Sequence, residues 1–195
     1  MKSVQKLGDA AVRWALPEDA EPRALLAALK SLQGVTDAVV TETHACVHFV
    51  PGHAPDLSVL VPAWQVGRAA KLVTIAVRYD GEDLEEVSER SDMTPDEVVA
   101  LHVEREYTVR MVGFLPGFAY LREVHPRIQA PRRATPRTRI PAGAIGIAAG
   151  YTGVYPFASP GGWNLVGTAV GFEAFSPERG ATLALGDRVR FVRAK

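Results

Sequence analysis

The segment PRRATPRTRIP, residues 131–141, places prolines at 131, 136 and 141 and follows two of them with Arg132 and Arg137. Proline fixes φ and removes a backbone donor, so the segment reads as extended chain rather than helix. Extended backbone holds the two guanidinium forks at a set separation, and such forks suit carboxylate or phosphate oxygens. An anionic ligand is one reading. Pairing with the chain's own acidic helices is the other, and composition does not choose between them. A nucleic-acid arm is disfavoured: no aromatics interleave with these arginines, and the formal net charge of the chain is zero.

Two neighbouring segments could shape a site around those arginines. In GFLPGFAYL, residues 113–121, Phe114, Phe118 and Tyr120 surround Pro116 and Gly117. A proline–glycine turn with aromatics on both sides can lean over a site, dock a partner or pack onto the body of the fold. The run PAGAIGIAAGYTGVYPFASPGGWNLVG, residues 141–167, is rich in glycine and almost free of charge. A nucleotide cradle would need a lysine after its last glycine and a helix beyond, and neither follows Gly143, Gly146, Gly150 or Gly153. These glycines are read as turns of a small barrel, with Pro160-Gly161-Gly162 as one such turn. Trp163 is expected to plug the barrel end ahead of forming a pocket wall.

Other chemistry-bearing residues are sparse. His102 ends a predicted helix, where it serves as a general base or as a favourable charge at the negative helix end. His44 and His48 share one strand face, yet no third ligand follows at metal spacing, so no metal site is expected. The single cysteine, Cys46, lies inside the apolar run HACVHFV, and GxSxG is absent, which leaves no self-contained nucleophile.

The elements that must carry these groups follow from periodicity. SVQKLGDAAVRWAL at the start reads as a hairpin about Gly8 and Asp9, with Val12, Trp14 and Leu16 on one face. Residues 21–33 place Ala24, Leu25, Ala28, Leu29 and Leu32 at helical spacing, with Pro22 in the first turn and Gly34 after the end. Two strands follow, in VTDAVVTET and HACVHFV, then a short helix in DLSVLVPAWQV broken near Pro62. KLVTIAVRY is a branched, strand-like run, and two short helices come after it. The second opens with the capping box Thr94-Pro95-Asp96-Glu97. Beyond it only short strand-like pieces occur, VRMVGF, AIGIAA, LVGTAV and RVRFV, separated by glycine and proline turns. That pattern predicts a small α+β domain followed by a compact β-barrel with two helices near its start.

At 195 residues, with 47% apolar and 23% charged residues, the chain has the composition of a soluble globular protein that buries a core. Charge is segregated. Residues 80–106 hold eleven acids against two arginines, and residues 107–139 hold seven arginines against one acid. Helix electrostatics account for much of the acidity, since Asp96 and Glu97 face a positive helix end. Without a disulfide pattern, a membrane span or a signal-peptide core, a cytoplasmic location is expected, with neither nucleic acid nor membrane as partner.

Taken in order, YDGEDLEEV, the Leu101-His102 pair, YTVRMVGFLPGFAYL, PRRATPRTRIPAGAIGIA and TGVYPFASPGGWNLVGT resemble the family of the 5-oxoprolinase B subunit. That family is also called allophanate hydrolase subunit 1, and it includes the Kip-type inhibitor of a sporulation histidine kinase. The likeness runs from about residue 72 to the end and is loose before it. It implies an α+β fold class, with an N-terminal α+β domain at 1–71 and a cyclophilin-like β-barrel at 72–195. It further implies an ATP-dependent hydrolysis of 5-oxoproline to glutamate, with Mg²⁺ accompanying ATP and no tightly bound cofactor. Partners would be the A and C subunits of that enzyme, with this chain inactive alone. Two alternatives go with the resemblance: inhibition of a sensor histidine kinase, or a part in urea and allophanate processing.

The family motifs fall on Gly113 to Phe118, Pro131 to Arg137 and Ser159 to Trp163, expected around one barrel mouth. The residues so implied are His102, Arg132 and Arg137 for chemistry. For ligand contact they are Phe114, Pro116, Gly117, Phe118, Tyr151, Thr152, Ser159, Gly161, Gly162, Trp163 and Asn164. Three departures stand out: YDGEDL is shorter than the usual YGGEFGPDL, Tyr151 replaces a glutamine, and Thr168 replaces an arginine. The two replacements exchange an amide for a phenol and remove a charge.

Overall fold

Residues 4–16, 21–57 and 70–194 are described by the computed structural model of the chain, which divides into two units, Met1–Ala69 and Ala70–Lys195. In the first unit, β1 (Gln5–Lys6) and β2 (Ala11–Ala15) form the expected hairpin. With β3 (Val35–Val40) and β4 (His44–Phe49) they make an antiparallel sheet of order β1-β2-β4-β3. Helix α1 (Pro22–Ser31) packs on β3. It begins where Pro22 follows Glu21, whose carboxylate accepts from the N–H groups of Arg23 and Ala24 and so satisfies donors that a helix start leaves open. Trp14, Leu25, Leu29, Ala45 and Val47 are buried in this unit. Val12 and Leu16 are only half-buried, unlike Trp14. The helix expected in DLSVLVPAWQV lies, from residue 58 onward, outside the described residues.

The second unit contains β5 (Leu72–Arg78), α2 (Leu84–Ser91), α3 (Pro95–Val103), β6 (Glu106–Val112), β7 (Ala119–Arg122) and a 3-10 turn at Pro126–Ile128. These are followed by β8 (Arg137–Ile140), β9 (Ala144–Ala148), β10 (Tyr151–Val154), β11 (Ser159–Gly161) and β12 (Asn164–Val170). The short pair β13 (Phe175–Ser176) and β14 (Gly180–Ala181) precedes β15 (Arg188–Arg193). Seven strands close a barrel in the order β10-β7-β6-β15-β5-β12-β9, parallel only between β5 and β15. A closed barrel has no edge strand left to pair, which solves the problem posed by so many short strands. The whole is a mixed α+β fold. The capping box on α3 forms as its sequence dictates: Thr94 Oγ1 accepts from Glu97 N–H while the Glu97 carboxylate accepts from Thr94 N–H.

The expectation that glycines mark barrel turns holds for Gly143 and Gly150, both with positive φ between strands. It fails for Gly146 and Gly153, which lie inside β9 and β10. A Cβ on Gly146 would stand 2.8 Å from Trp163 Cβ, and one on Gly153 would stand 2.8 Å from the Ala119 carbonyl oxygen. These positions are kept bare so that aromatic side chains and backbone can approach the strands. Pro160-Gly161-Gly162 is not a turn either. Ser159–Gly161 form β11, which pairs with β8 across an irregular register, and proline is tolerated there because a two-stranded ribbon has a free edge.

Candidate functional site

The Pro–Arg strip, the glycine segment and the aromatic loop meet on the second unit. The loop is fixed first. Phe118 N–H donates to the Leu115 carbonyl at 3.0 Å across Pro116-Gly117, and Gly117 has φ +81°, the geometry of a type II turn. A Cβ on Gly117 would come within 2.6 Å of Phe175 Cβ, so this turn requires glycine for space as well as for φ. Phe118 is 1% exposed and packs edge-on against Tyr120, Tyr155 and Trp163. Phe114 stays 58% exposed at φ +73°, a left-handed conformation that costs a non-glycine residue about 1–2 kcal/mol. A loop that docks a partner through both phenylalanines is therefore not what folds: Phe118 belongs to the core and only Phe114 is presented.

The strip is fixed by a buried carboxylate. Asp83, 3% exposed at the start of α2, accepts from Arg133 Nη1 at 2.6 Å and from Arg137 Nη2 at 2.7 Å through Oδ1, and from Leu165 N–H at 2.7 Å through Oδ2. Glu86 also accepts from Arg133, and Glu82 from Arg137. These contacts hold the Arg137 guanidinium above its usual pKa, the Asp83 hydrogen bond contributing most. Gly81 gives Asp83 its reach, since a side chain there would overlap the Leu165 carbonyl. The backbone is pinned on both sides of Arg132. Asn164 Nδ2 donates to the Pro131 carbonyl at 2.8 Å, and Arg133 N–H donates to Gly162 O at 2.8 Å. Arg132 itself is exposed and makes no ion pair among the described residues.

The result is a pocket of about 240 Å³ walled by Phe114, Phe118, Tyr120, Tyr155 and Trp163, with Pro136, Pro160, Gly161 and Gly162 at its sides and Arg132 as its cation. Trp163 thus walls the pocket, while its buried ring also packs against Gly146 and Gly153 of the barrel strands. Burial pushes the Tyr155 phenol up to about 12 and raises Tyr120 as well, with Arg132 pulling both the other way. The lining has no carboxylate and no nucleophile. It is suited to binding and orienting a small flat ring that carries a negative group, through aromatic faces and one guanidinium.

Of the residues given above for chemistry or ligand contact, Phe114, Phe118, Arg132, Gly161, Gly162 and Trp163 line this pocket, and the other eight do not. Arg137 is absorbed by Asp83. Pro116 and Gly117 shape the turn, and Asn164 anchors the strip. Ser159 is buried in β11 with its hydroxyl unpartnered. Tyr151 accepts from Arg122 Nη1 at 3.0 Å. His102 differs most from expectation. It is fully buried, with Nδ1 2.7 Å from the Tyr79 hydroxyl, Nε2 3.1 Å from Thr152 Oγ1 and its ring stacked on Phe191. Burial pulls its pKa down to about 3. It is neither a base at the pocket nor a charge at the helix end, and Thr152 serves it rather than a ligand. Tyr155 is absent from the set read from the sequence; nothing local in GVYPF marks it, and only its packing against Gly161 and Phe118 reveals it.

A family profile described as carboxyltransferase domain, subdomain C and D, matches residues 3–185. The chain is 44% identical over 142 residues to the 5-oxoprolinase B subunit of Bacillus subtilis (strain 168), covering 70% of this chain and 58% of that protein. The chain thus spans somewhat over half the length of this curated relative. The solved structure of TTHA0988 is similar at 39% identity and a TM-score of 0.82, over 95% of this chain and 40% of that one. PH0987, a conserved uncharacterized protein from Pyrococcus horikoshii, matches at 29% identity and a TM-score of 0.61, over 99% of this chain and 98% of its own.

Proposed function

This chain belongs to the carboxyltransferase-domain family that includes the 5-oxoprolinase B subunit, and from that premise we propose that it is the B subunit of an ATP-dependent 5-oxoprolinase working with the A and C subunits. The observation that carries the reading is Arg132, an arginine with no acidic partner among the described residues, set among aromatic walls in a pocket of small-ring size. 5-Oxoproline is a flat five-membered lactam with one carboxylate. Aromatic faces take the ring, and the guanidinium takes the carboxylate.

The pocket does not fit a nucleotide. It offers one guanidinium, no lysine and no pair of carboxylates for Mg²⁺. ATP with Mg²⁺ therefore enters through the assembled complex. The lining also lacks a base, so this chain acts by holding and orienting the lactam while the remaining groups come from its partners. The test is release of inorganic phosphate and glutamate from ATP and 5-oxoproline, by this chain alone, with the C subunit, and with the A and C subunits together. Products are expected only in the full mixture; silence in a verified complex would overturn the reading.

A further inference from the structure

Besides its cation the pocket lining carries the phenols of Tyr120 and Tyr155 and the indole of Trp163, and Tyr155 is the most deeply buried of the three. Tyr155 is 1% exposed just after β10, and its phenol lies against Gly161: a Cβ there would stand 2.5 Å from the hydroxyl oxygen. The backbone N–H of Trp163 acts on the phenol against the effect of burial, and the close contact with Gly161 leaves the hydroxyl little room to move. A tyrosine hydroxyl also has one proton to give. Among the described residues no group accepts that proton, while the residues around the phenol are those that line the pocket beside Arg132.

We infer that Tyr155 is a specificity-determining residue whose O–H donates to a neutral carbonyl oxygen on the ring whose carboxylate Arg132 holds. The inference rests on the lactam-acid reading of the pocket and adds to it a reason for choosing a lactam over a plain cyclic acid. Burial keeps the phenol protonated far above neutral pH, so it remains a donor under working conditions. A buried donor left unmatched disfavours a ring lacking the carbonyl, and sites of this kind discriminate more strongly than apolar walls do. A cation on a pinned stretch of backbone and a buried donor together also set which face of the ring each wall covers.

Ligand-observed NMR titration of the full chain, alone and bound to the C subunit, with L-5-oxoproline and with cyclopentanecarboxylate, tests this. The second probe keeps a five-membered ring and the carboxylate and lacks the lactam carbonyl and N–H, so the comparison with Tyr155→Phe assigns the carbonyl's share. The wild type is expected to prefer 5-oxoproline by about tenfold, a typical value for one buried hydrogen bond. Tyr155→Phe should erase that preference while leaving cyclopentanecarboxylate binding intact, which also reports that the pocket still folds. Arg132→Met should weaken both probes. If Tyr155→Phe retains the preference, or weakens both probes equally, the role of Tyr155 is overturned and the pocket reading survives. If neither form of the wild type binds 5-oxoproline, the pocket reading fails and this inference falls with it.

Discussion

Arg132 and Arg137 sit on the same strip, each following a proline, and the fold treats them in opposite ways. Arg137, together with Arg133, is drawn onto the buried carboxylate of Asp83. Arg132 is left without an acidic partner among the described residues, in a pocket of aromatic rings. The clamp region uses charge to join α2, the strip and β12, and the pocket region leaves charge available to a ligand. A residue's type, then, says less about its employment than whether a carboxylate reaches it. This contrast predicts separate consequences for stability and for binding.

The largest loss of stability is expected at the clamp. Asp83→Ala would leave the Leu165 N–H unpartnered and the two guanidinium groups with only the more exposed Glu86 and Glu82, and removing one partner of such a buried group costs about 3–5 kcal/mol. Urea denaturation should show a matching fall in unfolding free energy. A change below about 1 kcal/mol would mean that water replaces the carboxylate and that the clamp is not what fixes the strip.

Next comes His102, which sharpens the comparison because it is a buried polar group in the barrel core with no tie to the pocket. Its folded pKa, about 3, lies below the ordinary value of 6.5. Between those values the unfolded chain binds the extra proton, so stability is full above about pH 6.5 and is lost as pH falls toward 3. From pH 6.5 to 4.5 this amounts to roughly 2–3 kcal/mol, at about 1.4 kcal/mol per unit. Unfolding at the two pH values should show that loss in the wild type and a smaller one in His102→Gln. Equal pH dependence in both proteins would assign the acid sensitivity to other groups.

Gly161→Ala acts between the two regions. Its methyl would press on the Tyr155 hydroxyl at 2.5 Å and on Ile140 Cδ1 at 2.6 Å, and overpacking of this kind costs about 1–3 kcal/mol. The same shift would displace the phenol from the pocket wall. Thermal melting should fall by several degrees while ligand affinity falls with it, and a variant with unchanged melting would show that β11 yields easily.

What the sequence shows and what it hides divide along contact range. The Thr94–Glu97 capping box and the Pro116-Gly117 turn are legible because all their partners lie within a few residues. The barrel strands are legible because short apolar runs with glycine and proline between them have few other uses. The fates of Arg132, Arg133 and Arg137 are not, because Asp83 lies 50 residues before Arg133 and only the closed barrel brings them together. Gly146 and Gly153 look like turns for the same reason: the Trp163 side chain and the Ala119 backbone that need the space come from other parts of the chain. His102 misleads because a helix end in sequence need not be a helix end in water.

The smallest effect on stability is expected at Arg132, and there the comparison is most easily broken. Arg132→Met keeps the stem of the side chain and removes a charge that no described carboxylate holds, so unfolding free energy should change by no more than about 0.5 kcal/mol. Arg137→Met, by contrast, takes one of two guanidinium partners from Asp83 and should lower stability measurably. In the complex proposed above the order reverses in kind: Arg132→Met should abolish glutamate formation in a protein as stable as the wild type. If the two variants prove equally destabilised, Arg132 is part of the clamp. If both are active, the pocket does not hold the carboxylate, and the arginine of the strip that lacks a partner would have to be explained by something other than a ligand.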